Sequence, residues 1–472
     1  MLLPMPTPTP TPRHVPISTG DIAFLTRLVG AAYVRHAADL ATLDPGIDPH
    51  NRRATCELRP GSTQEVAAVL AYCHAQRIAV VPQGGRTGLS GGAVTAVGEL
   101  ALSLERLNTI EVFDPLSRTA VVGAGVTLAA LAARAARDGL AAGIDLGARD
   151  SATLGGLVST NAGGSAAFRH GTMRERVLGL EVVLADGTVL TELCQVRKRN
   201  EGLAVERLLI GAEGTLGVVT RIAIALVPAE GPLATALVAV ASLPAAAALT
   251  HSLSASLTAL EIMSGNHAAS VCRALGLTDL TELATAPYLL LVEMTAATAA
   301  AAETVLLSWL DTALEAGLVV DGRVAHNETQ RQAFWRVRED WAVDREHPGG
   351  LWFDVSVPLS ALADYVAALR TRLQVYDPSL ALFIVGHLAD GNLHLTLNAA
   401  TPITARYAEL APLVTAGLLE AGGSFSAEHG IGLEKKATLT RLASPQKQAL
   451  MRQLKALYDP RGILNPGKVI PE

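Results

Sequence analysis

The sequence predicts a two-domain α+β protein, and three observations carry that reading. At 472 residues the chain has room for two or three domains of roughly 150 residues each. Glycine clusters alternate with short apolar runs through the first half. Near Pro228 the texture changes to Ala-rich αβ units, and from Ser424 the chain turns polar and glycine-bearing again. The expected units are a disordered tail and N-terminal helix over 1–49, a first domain over 50–228, a second over 229–424, and a segment over 425–472 that returns to the first.

In order along the first half, 65–77 has helical spacing and 78–82 is a short strand running into a glycine loop. Residues 100–104, 119–123 and 180–184 read as strands and 128–137 as a helix. Asp186-Gly187-Thr188 marks a hairpin into Val189 and Leu190. Beyond Pro228 the pattern gives strand 236–241, helix 244–258, strand 288–294 and helix 298–316. A last helix runs over 444–458.

Composition excludes several classes. Thirty-eight basic against 44 acidic residues give a net charge of −6, without a basic block, which argues against nucleic acid as a partner. Half the residues are hydrophobic but only 4% are aromatic, so the core is built from Ala, Val and Leu. The longest uncharged stretch, 231–260, holds Pro244, His251 and many Ser and Thr. It reads as a buried strand and an Ala-rich helix, not a bilayer span. The Thr-Pro repeats of 1–16 lack both an apolar h-region and an Arg-rich pattern, so they are expected to be disordered rather than a targeting signal. Cys56, Cys73, Cys194 and Cys272 lie far apart, which disfavours disulfide, zinc-ribbon and iron–sulfur frameworks. A soluble, cytoplasmic protein is expected.

Three glycine clusters carry the first functional reading. Pro82-Gln83-Gly84-Gly85-Arg86-Thr87-Gly88, continuing to Gly91 and Gly92, follows a strand directly. Such a loop lets backbone N–H groups converge on a phosphate. Ser151, Thr153, Gly155 and Gly156 lead to Thr160-Asn161-Ala162-Gly163-Gly164, and Gly211-Ala212-Glu213-Gly214-Thr215-Leu216-Gly217 follows. No Walker or Rossmann spacing is present. Clusters spread over one domain fit an extended ligand such as a dinucleotide. Their order, with Leu-Glu-Val-Val-Leu-Ala-Asp-Gly-Thr at 180–188, resembles the FAD-binding domain of the vanillyl-alcohol oxidase / p-cresol methylhydroxylase (PCMH) flavoproteins. That resemblance implies that Pro82, Gln83, Gly84, Gly85, Arg86, Thr87, Gly88, Gly91 and Gly92 of the first loop, Ser151, Thr153, Gly155, Gly156, Thr160, Asn161, Gly163 and Gly164 of the second, and Gly217, Val218 and the C-terminal Asn465 bind FAD. Neither 84–92 nor 151–164 holds a His or Cys, so non-covalent FAD is expected.

The second reading comes from Gly386-His387-Leu388-Ala389-Asp390-Gly391-Asn392-Leu393-His394. Asp-Gly between alternating apolar residues predicts a two-residue type I′ turn, which sets His387 opposite His394 and Thr396 opposite Val385. Facing imidazoles can share one divalent ion. Glu428-His429 offers a carboxylate and a further imidazole, and two His plus one carboxylate is a catalytic ligand set. These stretches, with Ala-Glu-His-Gly at 427–430 and the closing Asp-Pro-Arg-Gly-Ile-Leu-Asn-Pro-Gly-Lys, resemble the metal-dependent D-2-hydroxy-acid dehydrogenases over 50–470.

The resemblance implies a ferredoxin-like second domain, a divalent metal (zinc) on His387, His394 and Glu428, and His429 as general base. It also implies Arg338 on the substrate carboxylate, with Arg336 the nearest alternative. Substrates of this branch are D-lactate, D-2-hydroxyglutarate or D-mandelate types. Its 2-hydroxyglutarate members carry a Lys where this chain has Trp352, a Thr at Ala342 and an Asn at Thr396. Trp352 and Thr396, read as substrate-binding, therefore favour an apolar substrate side chain, while Arg331 or Arg345 could still serve a second carboxylate. The expected partners are a small hydroxy acid and an external acceptor, an electron-transfer flavoprotein or a quinone, with a homodimer possible. The alternatives are a metal-free flavin oxidase of aldonolactone type and a flavoprotein subunit of a glycolate-oxidising complex.

Overall fold

The computed structural model describes residues 14–250 and 255–471. The expected disorder over 1–13 and part of the expected helix 244–258 lie outside the described residues. A four-stranded sheet contains β1 (Val34–His36), β2 (Cys56–Leu58), β3 (Val80–Gln83) and β4 (Leu100–Ser103) in the order β1-β2-β4-β3. A five-stranded sheet contains β5 (Ile110–Asp114), β6 (Thr119–Gly123), β8 (Val177–Val183), β9 (Val189–Glu192) and β10 (Val218–Ala225), ordered β5-β6-β10-β8-β9. A small ladder pairs β7 (Leu140–Ala141) with β11 (Val227–Pro228). One continuous core, reaching from Ile17 to Leu226, unites these sheets with helices Thr19–Val29, Thr63–Gln76 and Leu128–Ala136.

The second half forms a seven-stranded antiparallel sheet from β12 (Leu233–Val240), β13 (Leu257–Ser264), β14 (Tyr288–Thr295), β15 (Asp321–Val324), β16 (Leu351–Ser356), β17 (Ala381–His387) and β18 (Asn392–Asn398). Its order is β15-β12-β14-β13-β17-β18-β16. Alternation assigns the two faces. Leu260, Ile262, Leu290 and Val292 enter one core, while Ala259, Met263, Leu289 and Leu291 enter another under helices Gly265–Leu275 and Glu328–Glu339. Val385 packs into that second core. By strand parity His387, His394 and Thr396 lie on the same face. The expected helix over 244–258 is corrected: the helix is Leu243–Leu249, and 257–264 is the interior strand β13. Ala-rich local propensity loses there to pairing with β14 and β17 on both sides.

The C-terminal segment ties the halves together. Ser424 exchanges backbone hydrogen bonds with Ser356 of β16, and Ile463 and Asn465 flank Val80 of β3 in the same way. Between these anchors the Glu213 carboxylate accepts the N–H groups of Ile431 and Gly432 at 2.7 and 2.9 Å. No helix among the described residues is long and apolar enough to cross a membrane.

Candidate functional site

The hairpin between β17 and β18 differs from the expected one. Leu388–Asp390 form a single 3-10 turn, and only Gly391 takes a left-handed conformation, at φ 74°. A type I′ turn needs positive φ at both central residues, and Asp390 does not adopt it. Leu388 is buried instead, so Val385 opposes His394, His387 opposes Asn392, and Thr396 opposes Phe383. Direct opposition of the two histidines, and of Thr396 and Val385, is therefore corrected. The imidazoles remain diagonal neighbours on one face, with ring centroids 5.4 Å apart and planes at 88°.

A buried carboxylate stands behind each imidazole, hydrogen-bonded to His387 and at longer range from His394. Glu261 of β13 accepts from His387 Nδ1 at 2.8 Å. Asp354 of β16 lies 3.8 Å from His394 Nδ1. Both Nε2 atoms then face Glu428 Oε1, at 3.9 Å for His387 and 3.4 Å for His394. Glu428 Oε2 is held by the Gly164 N–H at 2.9 Å. Asp354 Oδ2 also fixes the turn carrying Glu428 and His429, accepting the N–H groups of Ala427, Glu428 and His429 at 2.9 Å each. The His429 ring stacks on His394 with centroids 5.3 Å apart, and its Nδ1 lies 4.0 Å from Asp354.

The two imidazoles are tuned differently: burial would lower His387, but the Glu261 carboxylate beside it holds it above its ordinary value. Burial, reinforced by the His429 and His387 imidazoles, pushes His394 well below its ordinary pKa, so it is neutral and free to ligate. Burial alone would raise Asp354, but His429, Lys435 and backbone N–H groups hold it well below the usual carboxylate range. Two imidazole nitrogens 3.9 and 3.4 Å from one carboxylate oxygen have, with that oxygen, the spacing of three ligands around one divalent ion bound at about 2.1 Å. Asp354, His394 and His429 are also close enough to hold an ion. The two sets share His394 through opposite ring nitrogens, and in the set of His387, His394 and Glu428 both Nε2 atoms face one carboxylate oxygen.

Arg338 donates through Nε to Glu261 at 2.8 Å, which leaves its two Nη atoms for a ligand. Glu261 thus braces both His387 and Arg338. Arg336 is exposed, whereas Arg338 is partly buried on the same helix. Trp352 and Thr396 are directly paired across β16 and β18.

An open cleft runs beside this cluster and is lined by His429. Of the residues expected at the cofactor, Pro82, Gln83, Gly84, Gly85, Arg86, Thr87, Gly88 and Gly92 line it from the first loop, and Thr153, Gly155, Gly156 and Thr160 from the second. Gly217 and Val218 line it from the third. Gln83 Oε1, Arg86 Nε and Thr153 Oγ1 are buried without a protein partner, as expected of groups that meet a polar ligand. Gly85 is required by close approach: a Cβ there would fall 1.9 Å from the Ser151 carbonyl oxygen. Six expected residues do not line the cleft. Ser151 backs Gly85, Gly91 lies against Leu433, and Gly163 and Gly164 meet Glu428. The side chains of Asn161 and Asn465 are committed to protein partners: Asn161 accepts from Thr172 and Arg174, while Asn465 donates to Gly92 and Glu213.

A model of the FAD binding domain matches residues 54–192, and one of the C-terminal domain of FAD linked oxidases matches 232–469. The chain is 38% identical to "D-2-hydroxyglutarate dehydrogenase, mitochondrial" of Bos taurus, over 96% of this chain and 84% of that protein. The chain belongs to the FAD-linked oxidases. A second relative of this FAD-linked oxidase, "D-2-hydroxyglutarate dehydrogenase" of Xanthomonas citri pv. viticola, is 37% identical over 87% of this chain and 88% of its own length. The fold is that of p-cresol methylhydroxylase, solved with substrate bound, at a TM-score of 0.74 and 16% identity over 97% of this chain and 98% of that one. It is likewise that of 4-ethylphenol oxidase from Gulosibacter chungangensis, at 0.70 and 18% over 98% and 99%.

Sequence reasoning assigned no role to Glu261 or Asp354. Each is a lone acid inside an apolar strand, which was the available signal; Glu261 went unread because its strand follows directly on a helical pattern. Asp354→Asn is expected to keep the turn but present an amide N–H₂ to His394 Nδ1, reversing the ring's tautomer and removing the Nε2 lone pair. Zinc affinity, read by competition with a chromophoric chelator, should fall roughly 10–100-fold, and flavin content should hold. Glu293→Gln, at a buried acid held by Thr235, Arg331 and Trp335, should leave zinc affinity unchanged. Gly85→Ala should lose most of its flavin on gel filtration, read as the flavin-to-protein absorbance ratio.

Proposed function

We propose that this FAD-linked oxidase is a metal-dependent dehydrogenase that converts a D-2-hydroxy acid to the 2-oxo acid. The observation that carries the reading is the convergence of His387 Nε2, His394 Nε2 and Glu428 Oε1 on one point, beside a histidine that lines the flavin cleft. The names of the relatives support the substrate class and its D configuration.

FAD, when bound, supplies the acceptor for a hydride. A divalent ion, when bound, lowers the pKa of a coordinated hydroxyl and templates the substrate; two imidazoles, one carboxylate and an open position favour zinc. His387, His394 and Glu428 hold that ion. Arg338 receives the substrate carboxylate through its Nη atoms, with Nε fixed on Glu261. His429 takes the hydroxyl proton, and the Asp354 carboxylate near its Nδ1 stabilises the imidazolium formed. C2 gives up a hydride and the hydroxyl its proton as the C–O bond becomes C=O, so two electrons and two protons leave the substrate, the hydride for the flavin and the proton for His429. FAD is held without a covalent bond, since the cleft lining has no cysteine and its one histidine is the base. An external acceptor, an electron-transfer flavoprotein or a quinone, completes the cycle.

Anaerobic mixing with D-2-hydroxy acids is expected to bleach the flavin absorbance, and the L enantiomers are expected to leave it intact. Dialysis against EDTA should abolish bleaching and zinc should restore it; full activity after dialysis contradicts the metal role. His429→Ala should slow flavin reduction roughly 10²–10⁴-fold with flavin and metal content retained, and a rate near wild type removes the base assignment.

A further inference from the structure

Two tryptophans stand open to solvent on the site's own face of the sheet. Trp352 pairs with Thr396, and Asp354 pairs with His394, in adjacent rows of β16 and β18. Residues two apart on a strand are about 7 Å apart on one face, so the Trp352 row borders the metal-ligand row. Trp352 is 41% exposed and Trp341 is 49% exposed. They meet edge to face with centroids 5.4 Å apart. Phe383 lies on the other side of Thr396 in register, with the His347 ring 6.0 Å from it. Large rings left wet beside a catalytic cluster mark a surface that a ligand covers. Trp352 is already fixed by donation from Nε1 to Asp344 at 2.6 Å, so little conformational freedom is lost when it is covered.

We infer that the 2-hydroxy acid taken here carries a hydrocarbon side chain, branched aliphatic or aromatic, that packs on Trp341 and Trp352. The inference rests on the reading that this chain oxidises a 2-hydroxy acid, and it adds which one. The charges around the corner point the same way. A substrate side chain ending in a second carboxylate would meet the Asp344 carboxylate, a like charge. The arginines that the sequence offered for a second carboxylate are already engaged. Arg345 is paired with Asp340, Arg331 with Glu293 and Glu328, and Arg338 is braced on Glu261 and serves the first carboxylate. An uncompensated carboxylate in such a corner is costly, while each methylene packed on the rings adds roughly 10–200-fold in discrimination. On side-chain specificity this chain therefore parts from relatives whose names specify D-2-hydroxyglutarate.

The test is stopped-flow reduction of the FAD- and zinc-loaded protein by D-3-phenyllactate, D-2-hydroxy-4-methylpentanoate, D-lactate and D-2-hydroxyglutarate, each read as kcat/KM. The two bulky hydrocarbon acids should exceed D-2-hydroxyglutarate by roughly 10²-fold, with D-lactate between. Trp352→Lys, at a half-exposed position, should narrow that ratio at least 10-fold by raising D-2-hydroxyglutarate, and Trp352→Phe should keep the wild-type ranking. A wild-type preference for D-2-hydroxyglutarate, or a ranking that Trp352→Lys leaves in place, overturns the inference while the dehydrogenase reading stands. Absence of bleaching by every 2-hydroxy acid in the loaded protein overturns both.

Discussion

The site depends on one buried carboxylate. Asp354, fully enclosed on β16, receives three backbone N–H groups from the turn that carries Glu428 and His429. Its other oxygen faces the Nδ1 of His394. Hydrogen bonds to an ionised acceptor are about twice as strong as neutral ones, and a buried charge makes their loss expensive. A single side chain thereby sets the distance between a sheet that presents imidazoles and a loop that presents a carboxylate and a further imidazole. Without it the loop loses three of the hydrogen bonds that hold it against the sheet.

Labour is divided between rigid and adaptable parts of the chain. The antiparallel sheet supplies His387, His394, Glu261 and Asp354 from interior and neighbouring strands, where main-chain pairing limits motion. Glycine loops supply the cleft, because backbone must approach backbone and cofactor closely there. The C-terminal segment joins the two: Ser90 donates to the His429 carbonyl at 3.0 Å, Gly164 holds Glu428, and Glu213 holds the next turn. The chemical cluster thus exists only where the two halves of the fold and their tie are all in place.

Much of this was legible in the sequence, for physical reasons that can be named. Glycine loops announce themselves because few other residues tolerate their contacts, and the Gly386–His394 run carries both its turn signal and its two histidines within a few residues. The hairpin register was not legible. Asp390-Gly391 reads as a two-residue turn locally, but burial of Leu388 in the sheet's core recruits a longer one, and that tertiary gain lies outside the local pattern. β13 was missed for a related cause, since an Ala-rich helix runs almost directly into it and strand pairing on both sides decides the outcome. Glu261 and Asp354 act through residues distant in sequence, so only the fold reveals what they hold. Trp352 was visible, but its partner Trp341 and the acid beside it, Asp344, come together only through the turn that precedes β16.

The most direct measurement is a crystal structure of the flavin-loaded protein grown with zinc, with anomalous diffraction recorded on both sides of the zinc absorption edge. A single anomalous peak bonded to His387 Nε2, His394 Nε2 and Glu428 Oε1, facing the isoalloxazine ring across the side of the cleft lined by His429, is the result this account predicts. A peak held instead by Asp354 and His429, or those three ligand atoms occupied by no ion while the flavin lies elsewhere, would contradict it.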